Sequence, residues 1–261
     1  MFSDYSAPPM WQNGPALGKY YDFPNVPTNK VSHNSTNGKQ RYHTPLTTGT
    51  SVLGLVFNGG VILAADTAGF YGSMMRFNDC PRIFQVNKFT ILGAGNDYAD
   101  IQYLNDIIKQ KILDDDLHND GIALKPKSLH CWLTRVLYNR RSKFDPLWIN
   151  AFVAGMQNGE PFLGTVDKLG TAYEDKILSF GFGTHISVPY MRQEREKNPN
   201  MTKEEAVACI KTCMDMLYVR DARSGAKYNI GVITNEGSEI LGPFESVGQW
   251  NIATHGTPGQ E

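Results

Sequence analysis

The sequence lacks any uninterrupted apolar run approaching the roughly eighteen residues that a membrane-spanning helix needs. It also lacks net charge: 25 Lys and Arg against 26 Asp and Glu leave −1, which gives no dominant attraction to nucleic acid or an anionic membrane. Partners must be recognised through shape and local chemistry. Cysteine is scarce. Cys80, Cys131, Cys209 and Cys213 form no C-x-x-C pair, and no histidine stands near Cys209 and Cys213 to complete a zinc set. They read as structural thiols of a reducing compartment, cytoplasm or nucleus. In such a compartment the sequons at Asn34 and Asn200 carry no weight, because glycosylation requires secretion. The six histidines are scattered with none at metal-ligand spacing, so neither metal nor cofactor is expected. The opening "MFSDYSAPPMWQNGPALGKYY" has neither the basic start nor the compact apolar run of a secretory signal. No repeat at solenoid spacing is present.

What is present is enough for one large domain: 261 residues, 41% of them hydrophobic. Residues 1–46 are rich in Pro, Gly, Asn, Ser and Tyr without a sustained period. They read as a disordered, detachable leader, unable to bury enough apolar surface to offset its ordering entropy. A compact domain is expected over 47–248, followed by a polar tail, 249–261.

"SVLGLVF" and "GVILAAD", separated by the hairpin signal "NGG", predict a strand pair, and "RIFQV" and "FTILGAG" predict another. From Asp97 the period becomes helical, with Ile101, Leu104, Ile107, Ile108 and Ile112 on one stripe; a second helix follows Pro126, with Leu129, Leu133, Val136 and Leu137 inward. Strands return in "NAFVAGM", "PFLGTVD", "GTAYED" and "ILSFG". A third helix opens at the capping box Thr202–Glu205 and carries Val207, Ile210, Met214 and Leu217 inward; "YNIGVIT" and "SEILGPF" complete the strands. The expected order is four strands, two helices, four strands, one helix and two strands. That is an α+β fold of two packed, mainly antiparallel sheets covered by helices on their outer faces.

The stretch "GTSVLGLVFNGGVILAADTAG", a Gly-Thr pair ahead of two strands that end in Ala-Asp, resembles the start of proteasome β subunits. The resemblance runs from about Thr44 to Asn251 and returns at "YVRDARSG"; "YNRRSKFDPLW" and "GNDYADIQYL" narrow it to a branch of that family without peptidase activity. It implies a four-layer αββα sandwich of the N-terminal nucleophile hydrolase type. In active β subunits a threonine hydroxyl attacks the peptide bond, with the threonine's own α-amine as base. That amine exists only after the Gly-Thr bond is cut.

Carried over position by position, the resemblance puts Thr50 at the nucleophile and Gly49 before the cut. Asp66 takes the place of the carboxylate that pairs with a catalytic lysine, but the lysine's own position holds Arg82. Asp221 and Ser224 match the pair that orients the amine, Phe182 stands where a further hydroxyl belongs, and Asn96 aligns with the glycine that donates to the oxyanion. Arginine stays protonated and cannot release a proton, so Arg82 suits a fixed ion pair with Asp66. Phe182 removes a donor and an acceptor. No catalytic residue is therefore expected; the positions are vestigial, and Thr50 stays internal. Each also has a plain reading: a threonine opening a strand, an aspartate closing one, a basic run "NRRSK" complementing a helix dipole or touching a neighbouring subunit. The alternatives are an active threonine peptidase with Arg82 in place of lysine, and a free-standing hydrolase or binder of the same fold.

The resemblance further implies partners: α and β subunits in a four-ring hetero-oligomer, and the opposing β ring reached by the tail, with Trp250 as an anchor there or in its own domain. It implies leader cleavage near residues 41–43. Neither nucleic acid nor membrane is an expected partner.

Overall fold

The computed structural model describes residues 45–118, 121 and 123–248. The leader up to residue 44 with its expected cleavage region, and the tail 249–261 with Trp250, lie outside the described residues.

Thirteen strands and four helices are described. In chain order they are β1 (Thr47–Gly49), β2 (Val52–Phe57), β3 (Gly60–Asp66), β4 (Gly69–Tyr71), β5 (Met74–Phe77), β6 (Ile83–Asn87), β7 (Thr90–Asp97), α1 (Tyr98–His118), α2 (Pro126–Ser142), β8 (Ile149–Gln157), β9 (Glu160–Val166), β10 (Ala172–Glu174), β11 (Ile177–Phe180), α3 (Gly183–Lys197), α4 (Lys203–Arg220), β12 (Lys227–Thr234) and β13 (Ser238–Glu245).

Every described strand pairing is antiparallel. The larger sheet has the order β10-β9-β8-β7-β1-β4-β5, with β6 also on β7; the smaller has the order β11-β2-β3-β12-β13. β6 and β1 share one edge of β7: β6 takes its first half, Thr90 to Gly93, and β1 its last two residues, Asn96 and Asp97. Tight turns set the register. Asn58-Gly59 closes Phe57 on Gly60, and Asn158-Gly159, both at positive φ (55° and 83°), closes Gln157 on Glu160. Two positive φ values are what a type I′ hairpin turn requires.

Three separate cores define four layers. Val52, Val56, Val61 and Leu63 of the smaller sheet meet Ile91, Phe152, Ala154 and Leu163 of the larger. Leu53, Leu55, Ile62 and Ile230, on the other face of the smaller sheet, pack on Met191, Ile210, Met214 and Leu217 of α3 and α4. Leu92, Ala151 and Val153 pack outward on Ile101, Leu104, Leu129 and Leu133 of α1 and α2. The two-residue period explains why "VLGLVF" shows no polar alternation: odd and even side chains serve different cores, and all six residues of β2 are buried. The α+β, αββα architecture expected from the sequence is the one observed.

The element count needs correction in two places. Seven strands precede the first helix, because β1, β4 and β5 are runs of three or four residues too short to show a period. Two helices separate β11 from β12, because α3 hides its start behind an uncapped Phe182 and carries Pro189 inside. The predicted capping box is present: the Thr202 hydroxyl accepts from the Glu205 N–H at 3.3 Å, and the Glu205 carboxylate accepts from the Thr202 N–H at 2.8 Å. Val136 and Val207, expected inward, are only half-buried; Ala206, Cys209 and Cys213 face the core. No described helix is long and apolar enough to cross a membrane.

Candidate functional site

Thr50 lies in the single step of chain between β1 in the larger sheet and Ser51, which leads into β2 of the smaller one. Asp66 ends β3, Arg82 immediately precedes β6, and Asp221 caps the C-terminus of α4. The fold thus gathers residues scattered over 172 positions at the seam where the two sheets meet (Thr50 to Asp221).

Arg82 is the centre of the cluster. Its side chain is fully buried and its ion pair with the Asp66 carboxylate is equally enclosed. Nε donates to the Asp66 carbonyl at 3.1 Å, one terminal nitrogen to the Thr50 carbonyl at 2.7 Å, and the other to the Ser51 carbonyl at 3.2 Å and to Asp66 Oδ1. The planar fork suits this arrangement, because its donors diverge toward acceptors on three residues; an ammonium on a flexible stem presents its donors from one point. Gly49 completes the fit. A Cβ there would lie 2.5 Å from Arg82 Cδ and 2.7 Å from Nε, so the aliphatic arm and guanidinium lie against bare backbone.

Asp66 is held from the other side as well. Its second oxygen accepts from the Gly225 N–H at 3.0 Å and the Ala68 N–H at 3.4 Å. Burial pushes its carboxyl above the ordinary range, opposed first by the Arg82 charge and then by these two N–H donors. A guanidinium that stays protonated keeps the pair ionic.

The Thr50 hydroxyl faces away from the guanidinium chemistry. It donates to Asp221 Oδ2 at 2.6 Å, while the other Asp221 oxygen accepts from the Arg223 N–H at 2.9 Å. The base within reach of the hydroxyl is therefore a carboxylate, weaker than the amine that threonine hydrolysis calls for. The Thr50 nitrogen is an amide, bonded to Gly49 at the end of β1. Ser224 donates its N–H to the Asp221 carbonyl at 3.0 Å and is half-buried.

Phe182 stands at the N-terminal cap of α3, 58% exposed, and its ring supplies neither donor nor acceptor. The neighbouring Gly183 N–H instead donates to Ser51 Oγ at 2.9 Å. Asn96 sits between Gly49 of β1 and Ile149 of β8 with φ 88°, a left-handed conformation uncommon for a side-chain-bearing residue.

Thr50, Asp66, Arg82, Asp221 and Ser224 are thus brought together at one seam, with Phe182 and Asn96 apart from their hydrogen bonds. Sequence reasoning missed Ser51 and Gly225. Both act largely through backbone groups, and the one signal available was their position beside residues already singled out. Among the described residues, no group of three His, Cys, Asp or Glu could hold a metal ion.

Comparison with known proteins adds independent findings. A family model described as "Proteasome subunit" matches residues 46–233. The chain is similar to proteasome subunit beta type-4 of Xenopus laevis, 50% identical over 209 residues that cover 80% of this chain and 86% of that protein. It is similar to the subunit of the same name in Drosophila melanogaster, 43% identical over 262 residues covering 97% and 98%. In Dictyostelium discoideum the figures are 41% over 215 residues, covering 82% and 83%.

Proposed function

The chain belongs to the proteasome subunit family, and from that premise we propose that it is a beta type-4 subunit that builds the particle without performing its chemistry. The observation that carries this reading is the engagement of Arg82. Four hydrogen bonds tie its guanidinium to Asp66, Thr50 and Ser51, all acceptors, and the group cannot give up a proton. The residue that should shuttle protons is a brace between the two sheets instead.

Two consequences follow for Thr50. Its hydroxyl proton is held by Asp221, and its own nitrogen stays an amide for as long as Gly49 remains attached. Loss of a positioned base costs about a hundred- to ten-thousandfold in rate, and this site also has Phe182 where a hydroxyl belongs. Self-cleavage at Gly49 is accordingly too slow to matter.

The subunit would complete a β ring enclosing the degradation chamber, in contact with α subunits, β neighbours and the opposing ring. Residues 249–261 would reach that ring, with Trp250 as an anchor. The leader would be trimmed by a neighbouring active subunit near residues 41–43, leaving a few residues ahead of Gly49, and the assembled particle would work in cytoplasm and nucleus. N-terminal sequencing of the chain from purified particles tests the core of this reading. The expected terminus lies upstream of Leu46. A terminus at Thr50, or labelling of Thr50 by a probe that needs a hydroxyl and a free amine together, would establish an active threonine peptidase in its place.

A further inference from the structure

The end of α2 breaks a rule of helix termination. The Asp145 N–H donates to the Arg140 carbonyl at 3.1 Å and the Phe144 N–H to the Arg141 carbonyl at 3.0 Å. These six-to-one and five-to-two bonds make a Schellman motif, whose left-handed position is normally glycine. Here that position is Phe144, at φ 55°. A bulky residue with positive φ carries strain. The ring recovers nothing within its own domain, since it is 91% exposed, the most exposed large hydrophobic side chain described.

The surroundings are chemically consistent. Tyr138 and Tyr103 are half exposed nearby, with the Arg141 guanidinium 5.5 Å from the Tyr138 ring and that of Arg140 5.9 Å from the Tyr103 ring. Arg140 is paired with Asp145 at 3.0 Å, whereas Arg141 and Lys143 are exposed beside Phe144. Exposed aromatics among arginines have the composition of binding hot spots.

We propose that Phe144, flanked by Arg141 and Lys143, is a docking knob that enters an apolar recess rimmed by carboxylates on a neighbouring subunit of the same particle. This rests on the reading of the chain as a proteasome subunit. Strain in the isolated chain is offset on assembly, when the ring leaves water and the two cations meet opposite charge. The overall charge of −1 disfavours nucleic acid as the occupant.

The test is a competition in which tagged wild-type and variant full-length chains are co-expressed and their incorporation into particles compared. Phe144→Gly should melt at the same temperature as wild type or higher, because glycine suits the left-handed position, yet be under-represented in particles by about tenfold or more. Arg141→Glu/Lys143→Glu should slow incorporation, with a deficit that shrinks as salt rises. Phe144→Gly incorporating as well as wild type would overturn the proposal. So would binding of single-stranded RNA by the wild-type chain, abolished in the double variant, with incorporation unchanged. Failure of the wild-type chain to enter particles at all is a separate outcome, and it would sink the subunit reading itself.

Discussion

Replacing Arg82 by lysine is the sharpest perturbation available, because it restores the residue type that catalysis would want while removing the one that the fold uses. The guanidinium serves four acceptors: the Thr50, Ser51 and Asp66 carbonyls and Asp66 Oδ1. A lysine ammonium has three N–H groups radiating from one point and a shorter reach. It can keep the Asp66 carboxylate and one carbonyl, leaving two carbonyls in a pocket where the native side chain is fully buried. Each orphaned buried acceptor costs about 1–3 kcal/mol, so Arg82→Lys should destabilise the chain by roughly 2–6 kcal/mol. For a domain of this size each kcal/mol moves the melting temperature by about 2–4 °C, which puts the expected drop at roughly 4–24 °C. Thermal unfolding followed by circular dichroism measures it, and intact-mass spectrometry of the same sample reads the Gly49–Thr50 bond. That bond should remain whole, because Phe182 and the amide nitrogen of Thr50 are unchanged. An Arg82→Lys chain that melts within a degree or two of wild type, or that releases a free Thr50 terminus, would refute the assignment of Arg82 as a brace.

Three further outcomes are expected. Gly49→Ala forces its methyl to within 2.5 Å of the Arg82 arm and should cost about 1–3 kcal/mol of unfolding free energy in chemical denaturation, as overpacking does. Thr50→Val removes the 2.6 Å bond to Asp221; it should lower stability by about 1–3 kcal/mol while leaving the peptidase activities of assembled particles unaltered, measured with fluorogenic peptides. Burial, with the charge of Asp215 second, raises the Tyr228 phenol to about 12. Its folded value lies above its unfolded one, so the stabilisation is fully present below pH about 10 and is lost as pH climbs toward 12, a swing of about 3 kcal/mol. Phenolate absorbance should show Tyr228 titrating together with alkaline unfolding, and Tyr228→Phe should remove that part of the pH dependence.

The parts of the fold that were legible are those with long periods or explicit end signals. "VLGLVF" and "GVILAAD" are dense apolar runs bounded by turn residues, and Thr202–Glu205 marks the start of α4 by its own hydrogen-bonding chemistry. β1, β4 and β5 were not legible, since three or four residues give no period, and β1 takes both its partners from strands distant in sequence, Thr48 with Phe70 and Asp97. α3 was hidden by Pro189 and by a start without a capping side chain. At the site, side-chain identities were legible and backbone partners were not. The sequence shows an arginine in place of a lysine, but that its fork reaches the Thr50 and Ser51 carbonyls depends on how β1 and β2 leave the seam.

β1 has a consequence for the economy of the larger sheet. Its three residues supply the strand-to-strand hydrogen bonding between the β4–β5 hairpin and the remaining strands described there. Scission after Gly49 would make β1 the end of a separate peptide, and the ladder between that hairpin and β7 would then depend on a segment no longer joined to Thr50. An uncut Gly49–Thr50 bond and a continuous larger sheet are one property seen from two sides.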